Sequence, residues 1–324
     1  MDILDAEAVA RALPPRALVD ALAAMFADPT VIVPPRHHHS LPVAQGERPG
    51  TLLLMPAWQA EATGYVGVKI ASVFPDNPAR RDRPAVTALY HLAEGGSGRP
   101  LAVLDGTELT RRRTAAAAAL AADHLARPDV ETLLLVGTGA LAPHFVRHHA
   151  AVRPYLRVLV WGRDAAKAAA VAEAVTPDLP EIEIAPVTTL AEGLDRADVV
   201  ACATSATRPL VPGAALRPGQ HLDLAGGFTP AMRETDDEAI RRSRVFIDTD
   251  VALAECGDLA DPLAAGVLTR DTVCGDLAQL CRGERPGRAS ADDITLFKSV
   301  GTALEDLAAA ILAWRIHNGG DLTS

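Results

Sequence analysis

The chain has 324 residues, of which 49% are hydrophobic, so it is long enough to form two domains with a buried core in each. It carries 41 acidic against 31 basic residues, and the formal charge of -10 repels a phosphate backbone, which argues against nucleic acid as a partner. The first residues, MDILDAEAVARAL, contain neither a basic segment nor an uninterrupted apolar one. We therefore predict no signal peptide, no transmembrane span or membrane partner, and a cytoplasmic location.

The first third of the chain combines helical and strand patterns. Helical spacing of apolar residues from Asp2 to about Leu22, broken at Pro14-Pro15, predicts two short helices. Short segments rich in β-branched residues follow, separated by Gly, Pro, Asp and Asn, and predict a sheet of hairpin-connected strands. These segments are residues 50–56, 65–73, 85–92 and 100–104. This part is predicted as an α+β domain.

An alanine-rich helix is predicted from Thr110 to Ala126, with Thr110 as its N-cap. Beyond it, strand-like and helical segments alternate, which is typical of an α/β fold with a doubly wound parallel sheet of the Rossmann type. The strands are predicted at 131–136, 157–161, 182–185, 198–203, 221–225 and 244–248, and helices at 141–151, 165–175 and 190–194. The stretch from Ile294 to Ile316 is predicted to be helical and to return to the first domain.

A glycine-rich turn stands between a predicted strand and a predicted helix. Its sequence, Gly137-Thr-Gly-Ala-Leu-Ala142, matches the pattern GxGxxA. In dinucleotide-binding folds Gly137 would allow the tight turn, Gly139 the close approach of backbone to a pyrophosphate, and Ala142 close packing of helix on strand. We predict a nicotinamide dinucleotide site here, and a glycine turn without a ligand is the alternative.

The next strand indicates which dinucleotide. A carboxylate at its end commonly binds the ribose 2′-hydroxyl of NAD, but here Trp161 is followed by Gly162 and Arg163, with no acidic residue before Asp164. Glycine leaves room and arginine supplies charge for a 2′-phosphate, which favours NADP(H) over NAD(H). Alternatively, Arg163 is a solvated loop residue.

Basic residues in the first domain are candidates for a substrate site. Lys69 lies inside an apolar strand, where an ammonium is costly unless it finds a partner or faces a polar cleft, although it could also lie on a wet face. Of the arginines at 111–113, which point about 100° apart on a helix, we select Arg113 as an anion ligand; a solvated basic patch is the alternative. Arg36 is a candidate carboxylate ligand.

No metal site is predicted. The histidines at 37–39 occupy a segment predicted to be irregular and lack the i, i+4 spacing of a zinc site. The cysteines at 202, 256, 274 and 281 show no CxxC spacing, so we predict buried or incidental thiols and no disulfide framework.

Several segments in order along nearly the whole chain resemble the ornithine cyclodeaminase/μ-crystallin family. They are Val68-Lys69, Asp105-Gly106 with Leu109-Thr-Arg-Arg-Arg113, the glycine turn, His221-Leu-Asp-Leu-Ala-Gly-Gly227, Arg233-Glu-Thr-Asp-Asp237 and Phe297-Lys-Ser-Val-Gly-Thr-Ala-Leu-Glu-Asp306. The resemblance implies a homodimer with an N-terminal substrate-binding and dimerisation domain, residues 1–112 with 304–324, and a Rossmann domain, residues 113–303. It also implies hydride chemistry at the α-carbon of an amino or imino acid.

Carried over residue by residue, the resemblance assigns Arg36, Lys69 and Arg113 to the substrate carboxylate and imine, with Lys69 as the catalytic proton donor. The positions that match dinucleotide contacts of the family are Arg113, Gly137, Gly139, Ala140, Leu141, Gly162, Arg163, Thr204 and Ser299.

Two positions depart from the pattern of family members that deaminate amino acids. Phe228 stands where they have an aspartate, and Leu53 where they tend to have a glutamate. A diamino acid brings a second ammonium that must be paired if buried, and both positions are apolar here. The sequence is therefore more similar to the ketimine reductases of proline metabolism. We predict NAD(P)H-dependent reduction of Δ1-pyrroline-2-carboxylate or Δ1-piperideine-2-carboxylate to L-proline or L-pipecolate.

Three alternatives remain open at the level of sequence. They are ornithine cyclodeaminase activity, alanine-dehydrogenase-like amination of a keto acid, and a non-catalytic μ-crystallin-like protein that holds NADPH and a small ligand. The last would use the same residues as the reductase.

Overall fold

The computed structural model describes residues 1–61 and 63–320. The chain divides into two compact units, Met1–Arg113 with Thr302–Ser324, and Thr114–Gly301. The strands are β1 (Asp2–Leu4), β2 (Val31–Ile32), β3 (His37–Leu41), β4 (Gly50–Gln59), β5 (Tyr65–Val73), β6 (Val86–Glu94), β7 (Pro100–Asp105), β8 (Thr132–Val136), β9 (Arg157–Trp161), β10 (Glu183–Pro186), β11 (Val199–Cys202), β12 (His221–Leu224), β13 (Ser243–Ile247), β14 (Val273–Asp276) and β15 (Ile294–Lys298).

The helices carry the apolar faces that cover these strands. They are α1 (Ala6–Ala12), α2 (Pro15–Ala27), α3 (Asn77–Arg80), α4 (Gly106–Leu125), α5 (Ala142–Ala150), α6 (Ala165–Val175), α7 (Leu190–Arg196), α8 (Asp237–Arg242), α9 (Ala252–Glu255), α10 (Gly257–Ala264), α11 (Leu277–Cys281) and α12 (Ala303–His317). None of the described helices combines the length and the apolar character needed to cross a bilayer.

The first unit is built on a seven-stranded mixed sheet. Its order is β1-β7-β6-β5-β4-β2, and β3 also pairs with β4. Only the pair β1 and β7 is parallel; the other neighbours are antiparallel. Helix α12 packs against β4, β5 and β6 and against α1 and α2. One face of this sheet is thereby buried under the C-terminal helix.

Three expectations for the first unit are wrong. Asp2–Leu4 forms strand β1, because it pairs with Ala102–Leu104 of β7. Helix α4 begins at Gly106, since the Asp105 carboxylate accepts a hydrogen bond from the Glu108 N–H (2.7 Å), as an N-cap residue does; Thr110 lies inside the helix. The histidines at 37–39 belong to the exposed strand β3 and are not in an irregular segment.

The second unit contains an eight-stranded sheet, in which every neighbouring pair is parallel. Its order is β10-β9-β8-β11-β12-β15-β13-β14. The chain runs outwards from β8 to β10 and then crosses back to β11 on the other side of β8, which confirms the predicted doubly wound α/β class. The switch point between β8 and β11 is where such sheets bind ligands.

The sheet of the second unit is buried on both faces. One core cluster joins Leu133, Leu135 and Val199 to the alanine face of α4 and to Phe145 of α5. This two-sided burial explains a further error. Ile294–Lys298 was predicted as helix but is strand β15, which lies between β12 and β13 with all five residues buried. A strand that is buried on both faces lacks the alternation of apolar and polar residues that distinguishes a half-exposed strand from a helix.

Candidate functional site

The glycine turn follows β8 at the switch point. Gly137 has φ of 126°, and a Cβ there would lie 2.6 Å from the carbonyl oxygen of Ala203. Any other residue would therefore be both strained and in collision with the loop after β11. Ala142, the first residue of α5, is fully buried, and its N–H donates to the carbonyl of Gly139 (3.0 Å). Both residues are thus required by the local fold.

Gly139 differs from these two positions. A Cβ added to Gly139 would have no neighbour within 4 Å, and its φ is not positive. Five other glycines likewise have no atom within 4 Å of an added Cβ, and all five have positive φ: Gly46, Gly98, Gly266, Gly283 and Gly319. Neither packing nor backbone strain therefore explains the glycine at 139. A bound group that approaches the backbone closely would explain it.

A pocket of about 380 Å³ opens beside this turn. It is formed by the ends of β8, β9 and β11. Its lining residues are Gly137, Thr138, Gly139, Trp161, Gly162, Arg163, Ala203, Thr204, Ser205, Ala206, Thr207, Arg208 and Leu210. Five of the nine residues that the sequence assigned to cofactor binding are among them, whereas Arg113, Ala140, Leu141 and Ser299 are not. Ser299 is buried after β15 and donates its N–H to the carbonyl of Leu224 (3.2 Å).

The charged side chains that line this pocket are all positive. Its lining contains two arginines, Arg163 and Arg208, and no acidic residue. The carboxylate of Asp164 is the N-cap of α6 and accepts hydrogen bonds from the N–H groups of Ala166 (3.0 Å) and Lys167 (3.3 Å). The pocket therefore suits an anionic ligand.

Buried charges hold the loops that border the pocket. Glu234 accepts hydrogen bonds from the N–H and hydroxyl of Thr204 (both 2.8 Å) and from the N–H of Gly226 (2.9 Å). Lys298 donates to Asp258 (3.0 Å) and lies 4.0 Å from Glu234. Burial acts to lower the pKa of Lys298, but the surrounding groups, led by Asp258, outweigh it and raise that pKa above its ordinary value. Lys298 is thus a structural cation.

The first unit contains a separate cluster of charges around Lys69. This residue lies in the middle of β5, directly opposite Met55 on β4 and Tyr90 on β6, and all three side chains are buried on the face that α12 covers. Lys69 is 3% exposed, which excludes the wet-face interpretation. Its Nζ lies 2.9 Å and 2.7 Å from the two carboxylate oxygens of Asp306.

Arg113 joins the same cluster. Its Nε donates to Asp306 (2.9 Å) and its Nη1 to Glu305 (2.5 Å), and both acids lie in the first turn of α12, where the helix dipole favours negative charge. Two cations and two anions therefore share one buried site. Lys69 and Arg113 are brought together as the sequence suggested, whereas Arg111 and Arg112 pair with Glu108. Arg36 is half-buried and directly precedes β3.

The pKa of Lys69 is unusual. Burial is the largest of the causes that lower the pKa of Lys69, and Arg113 acts in the same direction, while Asp306 opposes both; the net result is a pKa of about 8. Burial acts to raise the pKa of Asp306, but Lys69 and Arg113 hold it below its ordinary value. Asp306 is therefore an anion next to a lysine that can gain or lose a proton near neutral pH. A pKa close to the working pH is what a general acid requires.

Three residues near the candidate site carry no signal that singles them out in the sequence: Asp306 pairs with Lys69, Glu234 binds Thr204, and Arg208 lines the pocket. Asp306 and Glu234 lie in the segments that carry the family resemblance, but their partners are distant in sequence: Lys69 is 237 residues from Asp306. Arg208 belongs to no motif. No group of three or more His, Cys, Asp or Glu side chains within residues 1–61 and 63–320 has the arrangement of a metal site.

A doubly wound parallel sheet with a glycine turn at its switch point and an anion-attracting pocket beside it defines a dinucleotide-binding protein of the Rossmann class. A family model described as the ornithine cyclodeaminase/mu-crystallin family matches residues 9–318. The chain belongs to this family.

Relatives with described activities match almost the whole chain. A Δ1-pyrroline-2-carboxylate reductase of Colwellia psychrerythraea is 37% identical over 311 residues, which cover 96% of this chain and 97% of the relative. The structure of the Thermococcus litoralis Δ1-pyrroline-2-carboxylate reductase in complex with NADH and L-proline is similar with a TM-score of 0.90, at 30% identity over 99% of both chains. An archaeal alanine dehydrogenase dimer with bound NAD has a TM-score of 0.88 at 25% identity, with 99% and 98% covered.

Proposed function

We propose that this protein is an NAD(P)H-dependent reductase of a cyclic imino acid, which converts Δ1-pyrroline-2-carboxylate or Δ1-piperideine-2-carboxylate to L-proline or L-pipecolate. The observation that carries the proposal is the buried Lys69, with a pKa of about 8, in a chain that is similar over its whole length to Δ1-pyrroline-2-carboxylate reductases. The alternative of ornithine cyclodeamination is not favoured, because apolar Phe228 and Leu53 stand where an acidic partner for a second ammonium is expected.

The residues of the second unit fit a nicotinamide dinucleotide. Gly139 leaves its backbone open to a pyrophosphate, and α5 begins at the end of the turn, so that the positive end of its helix dipole lies beside the site. The bound cofactor supplies a hydride to the imine carbon. We propose NADP(H) as the preferred form. The two solved relatives hold NADH and NAD, so this preference rests on the two arginines and on the absence of acidic residues from the pocket lining.

In the proposed mechanism, Lys69 donates a proton to the imine nitrogen, which makes the ring carbon a better hydride acceptor. Asp306 keeps the Lys69 ammonium available at neutral pH by opposing the effect of burial on its pKa. We assign the substrate carboxylate to Arg113 and Arg36. Because Arg113 is already fixed by Glu305 and Asp306, it can orient the carboxylate without losing much side-chain entropy on binding.

The experiment that tests the proposal is a pair of assays. With NADPH and Δ1-pyrroline-2-carboxylate or Δ1-piperideine-2-carboxylate, absorbance of the reduced nicotinamide should fall at a rate proportional to enzyme. With L-ornithine and NAD, no ammonia should appear. Rapid ammonia release from ornithine without imine reduction would overturn the assignment, and pyruvate with ammonia tests the alanine-dehydrogenase-like alternative.

The pH dependence should report on Asp306. Since the general acid must be protonated, reduction by the wild type should decline as the pH rises above about 8. Asp306→Asn removes the main group that raises the pKa of Lys69, so the alkaline limb of kcat/KM should move down by at least about one pH unit. Glu305→Gln is the matched control, because Glu305 accepts its hydrogen bond from Arg113. The alkaline limb of the kcat/KM profile should move less in this variant. An Asp306→Asn profile that coincides with the wild type would refute this role.

We also propose that the protein is a homodimer. The face of the first sheet opposite α12 carries exposed apolar residues, including Ile3 (78% exposed) and Leu89 (42% exposed), and one of the solved relatives is a dimer. An apolar sheet face of this kind is typical of an interface between copies.

Leu89→Glu should therefore shift the sedimentation mass from that of a dimer to that of a 33.9 kDa chain. Leu156→Glu, which changes an exposed leucine of the second unit, should leave the mass unaltered. An unchanged Leu89→Glu dimer would contradict the assignment of this face.

A further inference from the structure

The cofactor pocket contains a second arginine, Arg208, in addition to Arg163. Arg163 follows β9 and Arg208 lies in the loop after β11, so two separate segments each bring one guanidinium to the same pocket. Both residues are exposed, and neither side chain makes a hydrogen bond or ion pair with any described residue. This is unusual in this chain, where many arginines are paired with carboxylates or backbone carbonyls.

We propose that Arg163 and Arg208 together form the site for the 2′-phosphate of NADP(H), with Arg208 as the residue that determines specificity alongside Arg163. The inference rests on the proposed function, and it deepens that proposal by assigning a second phosphate ligand. Guanidinium groups bind phosphate oxygens in pairs of parallel hydrogen bonds, and two of them can neutralise a phosphate monoester that carries nearly two negative charges.

The surroundings favour this anion over a ribose hydroxyl. Gly162 separates Trp161 from Arg163, and a Cβ at Gly162 would lie 2.5 Å from Cγ2 of Thr138, so close packing between the loop and the glycine turn requires glycine there. Asp164 is the nearest carboxylate in sequence, and its hydrogen bonds to the first N–H groups of α6 make it the cap of that helix. A 2′-hydroxyl thus has no acidic acceptor in the lining, whereas a 2′-phosphate has two unpaired cations.

Hydrogen bonds with Arg233 and Glu234 fix the loop that carries Arg208. Thr204 is bound by its N–H and its hydroxyl to the buried Glu234, and the N–H of Arg233 donates to the carbonyl of Ala206 (2.8 Å). The backbone on the N-terminal side of Arg208 is therefore fixed, while its side chain is unengaged. Such a residue adds a phosphate contact without the cost of ordering a loop.

The test is direct binding of cofactors to the purified protein, measured by calorimetry or nicotinamide fluorescence. The probes are NADPH, NADH, adenosine 2′,5′-bisphosphate and 5′-AMP. The variants are Arg208→Gln, Arg163→Gln and Arg270→Gln; the last is the matched control, an exposed arginine outside the pocket lining. We expect Arg208→Gln to weaken NADPH and adenosine 2′,5′-bisphosphate by about tenfold or more, the size expected for a charged hydrogen-bonded contact, and to leave NADH and 5′-AMP within about twofold.

The outcomes separate this inference from the proposed function. If the wild type prefers NADPH but Arg208→Gln binds it as tightly as the wild type, Arg208 is not a phosphate ligand and the inference fails, while the reductase proposal stands. Equal weakening of NADPH and NADH would also overturn it, because Arg208 would then contact a part common to both cofactors. If the wild type binds NADH at least as tightly as NADPH, both the inference and the NADP(H) preference fail.

Discussion

Lys69→Met should remove at least about 99% of the turnover of the cyclic imine while leaving the fold intact, since general acid catalysis by a positioned side chain contributes about 10²–10⁴-fold. The substituted side chain is of similar length and apolar, so it fits among the buried Met55, Tyr90 and Leu104 of the same row. The loss should appear in kcat at saturating NADPH.

Two controls distinguish chemistry from structure. Lys167→Met makes the same substitution at an exposed position on α6 and should retain wild-type turnover. Lys69→Arg keeps a cation next to Asp306 but cannot give up its proton, so it should also be inactive. Thermal unfolding and NADPH affinity show whether each variant is folded. A folded Lys69→Met variant with near wild-type kcat would remove Lys69 from the mechanism.

Gly139→Val should lower cofactor affinity at least about a hundredfold, as expected when a pyrophosphate loses close hydrogen bonds to backbone N–H groups. A Cβ at position 139 would have no neighbouring atom of the protein within 4 Å, so there is open space for a larger side chain. The unfolding temperature without cofactor should therefore stay near that of the wild type.

Gly137→Ala provides the contrast for this prediction. Its Cβ would collide with the carbonyl of Ala203 and its φ is positive, so this variant should lose stability as well as cofactor binding. If Gly139→Val bound NADPH as the wild type does, the turn would be a structural feature of the fold and not the cofactor site.

The sequence predicted the order of strands and helices well where a periodic pattern was bounded by Gly or Pro. Arg157–Trp161 and Ala165–Val175 were predicted with the bounds that the structure shows. The wrong assignments are at segments whose secondary structure is determined by pairing with distant strands. β1 is a three-residue edge strand stabilised by β7, and β15 is a fully buried strand between two others. Neither pairing leaves a local signal in the chain.

The candidate site divides in the same way. The glycine turn could be predicted because the backbone conformation at Gly137 and the spacing to Ala142 are local requirements. Lys69 could be chosen from the sequence as a candidate site residue, but its environment could not be predicted. Only the strand register shows that it shares a buried face with Met55 and Tyr90. Its partner Asp306 could not be assigned, because the contact depends on how α12 packs on the sheet. Arg208 could be identified as a candidate ligand only from the pocket that it lines.

Hydride transfer to the α-carbon of a cyclic imino acid is tested most directly by following an isotope from the cofactor to the product. The enzyme is incubated with NADPH that carries deuterium at both hydrogens of nicotinamide C4, together with Δ1-pyrroline-2-carboxylate, and the product is examined by mass spectrometry and NMR. We predict L-proline with one deuterium at Cα, formed over many turnovers per subunit. Binding of both ligands without proline formation, or proline without deuterium at Cα, would contradict the account.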